Sequence, residues 1–300
     1  MTNETEQKLP VTVIGGYLGS GKTTLVNHLL RHADGRRLAI LVNEFGDLAI
    51  DGDLIEAEGD DLISLAGGCV CCSYGDDLGG ALKTLAALTP APDHVLLEAS
   101  GVALPSAIAA SLSLLSVIQL DAILVMVDAE TILNRARDKY MGDTILRQMQ
   151  DTDLVVINKV DLVDERQLDL VRDWAFKNAP NAAHIETSES KISSEVLFGF
   201  GSNSNAATKI SIGLEHTHHH PEANFKTWNL DCAEPVDPEE FADSLIDENP
   251  NLVRAKGFLK TSDGKMNTLQ IVGKRTRISD APEGVEAGIV VIVAANEQAN

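Results

Sequence analysis

The sequence predicts an α/β fold, a mostly parallel sheet with helices on both faces, followed by a smaller C-terminal α+β domain. Three observations carry that expectation. Apolar runs of strand length alternate with helix-like stretches through the first part of the chain. A glycine-rich loop stands between the first such run and the first helix. After about Ile192 the texture turns linker-like and then becomes a second set of short strands. At 300 residues the chain has room for two domains, and 44% hydrophobic residues are enough to fill their cores.

Taken in order, residues 1–9 read as a polar tail. Val11–Gly16, Leu38–Asn43, His94–Glu98, Ala122–Asp128 and Leu154–Asn158 read as strands, each nearly continuous in apolar residues. Leu25–Leu30, Asp76–Leu88, Ser106–Ile118, Asp143–Gln150 and Glu165–Asn178 read as the helices between them. Continuous apolar strands separated by helices imply a sheet buried on both faces. The first domain is placed at 10–192 and a linker at 193–224. The second domain, 225–300, has strands at Lys226–Cys232, Val253–Thr261, Met266–Gly273 and Gly288–Ala294. Cys232 reads as a buried strand residue. Asp237-Pro-Glu-Glu240 is a helix start, with Asp as cap, Pro first in the helix and Glu three residues on.

Composition excludes several functions. The 24 Lys and Arg against 45 Asp and Glu leave a formal charge of −21. That argues against nucleic acid and anionic membrane surfaces, both of which need clustered cations. Ala99–Leu120 carries no charge, but its proline and serines read as a buried helix and loop rather than a membrane span. No secretory signal is evident, and Cys69, Cys71 and Cys72 are too crowded for ordinary bridging. Reduced thiols and a cytoplasmic location are therefore expected.

Gly16-Tyr-Leu-Gly19-Ser20-Gly21-Lys22-Thr23 fits G-x-x-x-x-G-K-[ST], between a strand and a helix. Its backbone N–H groups curl around phosphate oxygens at the positive end of the helix dipole. Lys22 is expected at the β- and γ-phosphates, Thr23 on Mg²⁺ and Thr24 at the α-phosphate. The first domain is thus expected to be a P-loop NTPase.

Asn158-Lys159-Val-Asp161 follows an apolar strand. A carboxylate at Asp161 accepts from guanine N1–H and the exocyclic amine together, donors that adenine does not present as a pair. Asn158 is expected on the base edge and the Lys159 stem on its face. The loop Glu186-Thr-Ser188 is expected to complete the base pocket. Glu98, at the end of an apolar strand, stands where phosphoryl-transfer enzymes put the carboxylate behind Mg²⁺. Gly101 is expected to donate its N–H to the γ-phosphate. The acidic loop Glu44–Asp51 is a candidate switch. Lys22, Glu98 and Glu44 are the candidate catalytic residues. No arginine finger or water-orienting residue is evident, so slow intrinsic GTP hydrolysis is expected.

Gly67-Gly68-Cys69-Val-Cys71-Cys72 brings three thiolates within four residues. They can converge on one soft or borderline cation. Zn²⁺ suits them, and Ni²⁺, Co²⁺ and Cu⁺ are compatible. A fourth ligand would be water, a side chain of the Glu44–Asp51 loop, or a histidine; an open fourth position suits metal transfer. In an extended segment His216, His218 and His220 point one way and make a second, weaker docking site for metal.

Together, Gly16-x4-Gly21-Lys22-Thr23, Asn43-Glu44-Phe-Gly46, Gly68-Cys69-Val-Cys71-Cys72, Glu98-Ala-Ser-Gly101 and Asn158-Lys-Val-Asp161 resemble the CobW-type GTPases. The resemblance runs with specific motifs from Pro10 to His184 and more loosely over Phe225–Asn296. It implies a GTPase related to urease and hydrogenase accessory proteins, with a CxCC metal site at Cys69, Cys71 and Cys72 coupled to the nucleotide. Glu44 then belongs to the switch. It implies delivery of Zn²⁺ or Co²⁺ to a client metalloprotein or metal-insertion complex. The chain departs from the family where Asp47-Leu48-Ala49 replaces the usual Glu-Val-Gly, which keeps a carboxylate and loses a glycine.

The expected function is a GTP-hydrolysing metallochaperone using GTP, Mg²⁺ and Zn²⁺ (or Co²⁺/Ni²⁺). Two other readings stay open: a GTPase that remodels a metalloenzyme client around a structural zinc clasp, and a zinc buffer with little turnover. A homodimer is compatible with either.

Overall fold

The computed structural model describes residues 8–42, 63–65, 75–199, 225–282 and 284–294. The chain divides into two compact units, Met1–Pro180 with Glu186–Lys191, and Asn181–Ile185 with Ile192–Asn300.

The larger sheet contains β1 (Leu9–Gly16), β2 (Leu38–Val42), β3 (Ile63–Leu65), β4 (His94–Glu98), β5 (Ile118–Asp128), β6 (Leu154–Asn158) and β7 (Ala183–Thr187), in the order β3-β2-β4-β1-β5-β6-β7. The pairs β3–β2, β2–β4, β4–β1, β1–β5 and β5–β6 are all parallel. Successive residues Val11 to Ile14 are buried although they alternate between faces, so both faces of β1 are covered. The helices between the strands are α1 (Lys22–Arg31), α2 (Gly75–Ala86), α3 (Pro105–Leu112), α4 (Ile132–Arg135), α5 (Gly142–Gln148) and α6 (Glu165–Asn178). Leu82 and Leu85 of α2 and Leu112 of α3 pack with Val11, Val13, Val95 and Leu97 in one apolar cluster.

Three expectations need correction in this unit. Leu9, expected in the tail, begins β1 and is buried. The helix expected over Ser106–Ile118 ends at Leu112. A run of turn bonds takes over there, with the Ser113 hydroxyl donating to the Ala110 carbonyl. β5 starts at Ile118 rather than Ala122, because a register shift opposite Val11/Thr12 carries the strand past Asp121. Ala99–Leu120 is accordingly a turn, α3 and the start of β5. Among the described residues no helix is long and apolar enough to cross a membrane.

The second unit holds α7 (Ser194–Phe198), β8 (Phe225–Leu230), α8 (Pro238–Glu248), β9 (Leu252–Lys260), β10 (Met266–Val272), β11 (Arg275–Asp280) and β12 (Gly288–Ala294). The five strands form an antiparallel sheet, β11-β10-β9-β12-β8. Ala242 and Leu245 of α8 pack into its core with Ala255, Leu269 and Val291. Asp237 caps α8, accepting from the N–H groups of Glu239 and Glu240 at 2.9 and 3.1 Å. β11 carries no apolar alternation; its charged, exposed residues suit the sheet edge they occupy. Residues 194–198, expected in the linker, form α7 instead. Its residues Val196, Leu197 and Phe198 are buried, and Arg254, itself buried, donates to the Leu197 carbonyl at 2.7 Å.

Cys232 is buried, two residues past the end of β8 rather than inside it, and its thiol donates to the Leu230 carbonyl. Burial, and then the neighbouring Asp231 carboxylate, push this thiol up. The thiolate is the reactive species, so Cys232 should resist alkylation in the folded protein. Peptide-mapped iodoacetamide labelling should mark Cys232 in urea and spare it in native buffer; equal labelling in both would contradict the burial.

Candidate nucleotide site

The site grows from the C-terminal ends of parallel strands, where an α/β sheet places ligands. β1 ends at Gly16, and the chain then curls through Tyr17–Gly21 into α1. Gly16 and Gly21 have φ of 129° and 104°, a region that side chains rarely adopt. Space forbids a side chain there too. A Cβ on Gly21 would lie 2.4 Å from Asn158 Nδ2, and one on Gly16 2.4 Å from the Met126 carbonyl oxygen. Gly19 also has positive φ, in open space.

Lys22, the first residue of α1, is 8% exposed, and its ammonium donates to the Gly16 carbonyl at 3.0 Å. The long side chain therefore folds back along the loop, which places a cation at the cradle. Thr23 donates its hydroxyl to Glu98 Oε1 at 2.8 Å, and Glu98 is buried. Thr24 is exposed. Ser20 Oγ is buried with no hydrogen-bond partner among the described residues, in a loop shaped for oxyanions. A hydroxyl and a carboxylate at the start of a helix are hard oxygen donors that fit Mg²⁺. The cradle therefore suits a nucleotide phosphate chain.

Glu98 leads into a turn at Ser100–Ala103. Gly101 is buried against the phosphate loop; a Cβ there would lie 2.5 Å from Leu18 Cδ2 and 2.9 Å from the Leu18 nitrogen. Arg135 of α4 also approaches this loop. It donates to the Leu18 carbonyl and lies 5.4 Å from the centre of the Tyr17 ring.

At the end of β6, Asp161 is exposed in a tight turn over Val160–Leu162. Its neighbours take partners within the protein. Asn158, expected on the base edge, is buried and spends both ends of its amide inside the protein. Nδ2 donates to the Ser20 carbonyl and to Ser190 Oγ, both at 2.9 Å, and Oδ1 accepts from the Ser190 N–H at 2.9 Å. Ser190 Oγ in turn donates to the Gly21 carbonyl at 3.1 Å. Asn158 thus ties the phosphate loop to the loop after β7. Lys159, expected on the base face, pairs its ammonium with Asp128 Oδ2 at 2.8 Å. In the loop expected to complete the base pocket, Glu186 is drawn to Arg172 of α6, whose Nε and Nη2 donate at 2.6 and 2.9 Å. That carboxylate is the main reason the guanidinium's pKa is raised.

Ser190, Asp128, Gln148 and Arg135 were absent from the expected set. Asp128 had a readable signal, a carboxylate closing an apolar strand. Ser190 had none, because only the fold brings it to Asn158. Asn43, Glu44, Gly46, Asp47, Asp51, Cys69, Cys71, Cys72, His216, His218 and His220 lie outside the described residues. Among the described residues no group of three or more His, Cys, Asp or Glu is placed to hold a metal.

Comparison with known proteins agrees with this geometry. Residues 10–186 match the model for the CobW/HypB/UreG nucleotide-binding domain. Residues 225–299 match the cobalamin synthesis protein cobW C-terminal domain. A zinc chaperone CobW of Sinorhizobium sp. is 31% identical over 89% of this chain and 86% of its own length. One of Pseudomonas aeruginosa is 31% identical over 91% of this chain and 82% of its own. Among solved structures, the Zn(II)-bound YjiA GTPase of E. coli aligns over 97% of this chain and 96% of its own, at 20% identity and a TM-score of 0.46. A phosphate cradle on a parallel sheet, a family model spanning more than half of the sequence and relatives aligned along most of it together make this chain a member of the CobW/HypB/UreG family.

Proposed function

We propose that the protein is a GTP-hydrolysing metallochaperone that binds Zn²⁺, or a similar divalent cation such as Co²⁺ or Ni²⁺, through Cys69, Cys71 and Cys72. It hands the metal to a client metalloprotein under control of the bound nucleotide. The observation that carries the coupling is the sheet register. Val42, the last residue of β2, pairs with Glu98 of β4, and Leu65, the last residue of β3, pairs with Leu41 of β2. Parallel strands end on one edge, so β2 and β3, which precede Glu44 and Cys69 in the chain, both end at the edge that carries the phosphate cradle. The names of the relatives, zinc chaperone CobW and, in fission yeast, zinc-regulated GTPase metalloprotein activator 1, support the choice of zinc.

GTP enters with its triphosphate against Gly16–Thr23. Lys22 exchanges the Gly16 carbonyl for phosphate oxygens and neutralises charge that grows as the γ-phosphoryl leaves. Thr23 and Glu98 are the residues that would hold Mg²⁺, which would supply charge neutralisation to the phosphate chain. Asp161 accepts from the guanine edge, and Gly101 donates to the γ-phosphate. Water attacks phosphorus, the bond to the β–γ bridging oxygen breaks, and GDP and phosphate result. Intrinsic turnover is slow, and the Glu44–Asp51 loop senses the difference between GTP and GDP. The His216–His220 segment gathers metal ahead of the thiolates.

The test is a zinc titration of protein purified without affinity metal, loaded with GDP or with a non-hydrolysable GTP analogue. Zinc should bind about tenfold more tightly in the triphosphate state, a coupling of about 1.4 kcal/mol. Linkage then requires zinc to tighten the GTP analogue by the same factor. Equal zinc affinities would remove the gating, and loss of nothing on replacing all three cysteines by serine would remove the site.

A further inference from the structure

We infer that Gln148 is a positioning residue for the triphosphate-facing side of the site. It is the last residue of α5, 2% exposed, and lies outside every motif. Its amide nitrogen Nε2 donates to the Gly101 carbonyl at 3.1 Å and to the Ala103 carbonyl at 2.8 Å. Both acceptors belong to one turn, which begins directly after Glu98. That turn is held upstream by the Ala99 N–H, which donates to the Ile14 carbonyl at 2.8 Å. The Ala103 N–H closes it on the Ser100 carbonyl at 3.0 Å. Gln148 is itself fixed, since its own carbonyl accepts from the Thr152 hydroxyl at 3.2 Å.

A glutamine suits this place for a chemical reason. One planar amide nitrogen carries two N–H donors, enough for two carbonyls of a turn that has no regular partner strand. With the turn fastened, Gly101 lies against Leu18 in the first half of the phosphate loop. The second half, at Ser20 and Gly21, is held separately by Asn158 and Ser190. Gln148 therefore acts on one side of the cradle and leaves the other alone. On the reading of Gly101 as a donor to the γ-phosphate, on which this inference rests, losing Gln148 should penalise GTP and spare GDP.

The test compares wild-type protein with Gln148→Glu, which keeps the shape but turns a carboxylate toward two carbonyl oxygens. Affinities for GDP and for a non-hydrolysable GTP analogue are measured by calorimetry, and hydrolysis in a single turnover. Analogue affinity and hydrolysis should each fall about tenfold, with GDP affinity within about twofold of wild type. Equal losses for GDP and the analogue would mean a merely structural role and overturn the inference, as would no change at all. Gln148→Met, equally long and without donors, carries the same comparison if the charged variant does not fold. Wild-type protein that binds neither nucleotide would instead defeat the proposed function.

Discussion

GTP hydrolysis should fall about 10²–10³-fold in Lys22→Ala, the usual loss when one preorganised donor to a developing oxyanion is removed. The effect is large because Lys22 is almost fully buried at the mouth of the loop, where water screens its charge poorly. In the free protein the ammonium rests on the Gly16 carbonyl, a neutral partner that it can give up for phosphate. An arginine should not rescue the variant, since its planar fork cannot occupy the place of a compact, buried ammonium. Single-turnover assays with radiolabelled GTP measure the loss, and a thermal melt checks that α1 survives. Hydrolysis within about threefold of wild type would remove Lys22 from the mechanism.

The second expected result concerns the base. Asp161→Asn should weaken GTP about 100-fold, because two hydrogen bonds to a charged acceptor, each worth about 1.5 kcal/mol or more, are lost together. The same variant should gain xanthosine triphosphate, whose base presents a carbonyl where guanine presents the amine. Asp161 is exposed at a turn and no bond to the rest of the fold depends on the carboxylate among the interactions described, so folding should be unaffected. Competition of the three nucleotides against a fluorescent GDP derivative gives the answer. Wild-type protein that binds ATP as tightly as GTP would show that Asp161 does not select the base.

Much of the site was legible in the sequence because its parts are contiguous. Gly16–Thr23 encodes its own backbone path: positive-φ glycines, a lysine that folds back on its own loop and a helix start follow from adjacent residues. The same holds for Asp237 capping α8. What the sequence leaves open here shares a cause. The motif marks Asn158 and Lys159 for the base, and an amide and an ammonium also take whatever strong partner the fold brings near. The fold brings Ser20 and Ser190 to one and Asp128 to the other. The helix expected to run on to Ile118 stopped early because serines offer turn bonds that compete with helical ones. β11 escaped notice because an exposed edge strand leaves no periodic apolar trace.

The order of amino acids alone specified a sheet-and-helix nucleotide domain, its phosphate loop, its carboxylates and a smaller companion domain, since each is written in a short continuous stretch. Which side chains hold those pieces in register was settled by strand pairing. Parallel alignment of β1, β4, β5 and β6 brings Gly16, Glu98, Asp128 and Asn158 to one sheet edge. It also sets Gln148 under Gly101 across 47 residues of chain, and Asn158 beside Ser20 across 138. Hydrogen bonds reach only about 3 Å, so partners this far apart in the chain meet only once the core has packed.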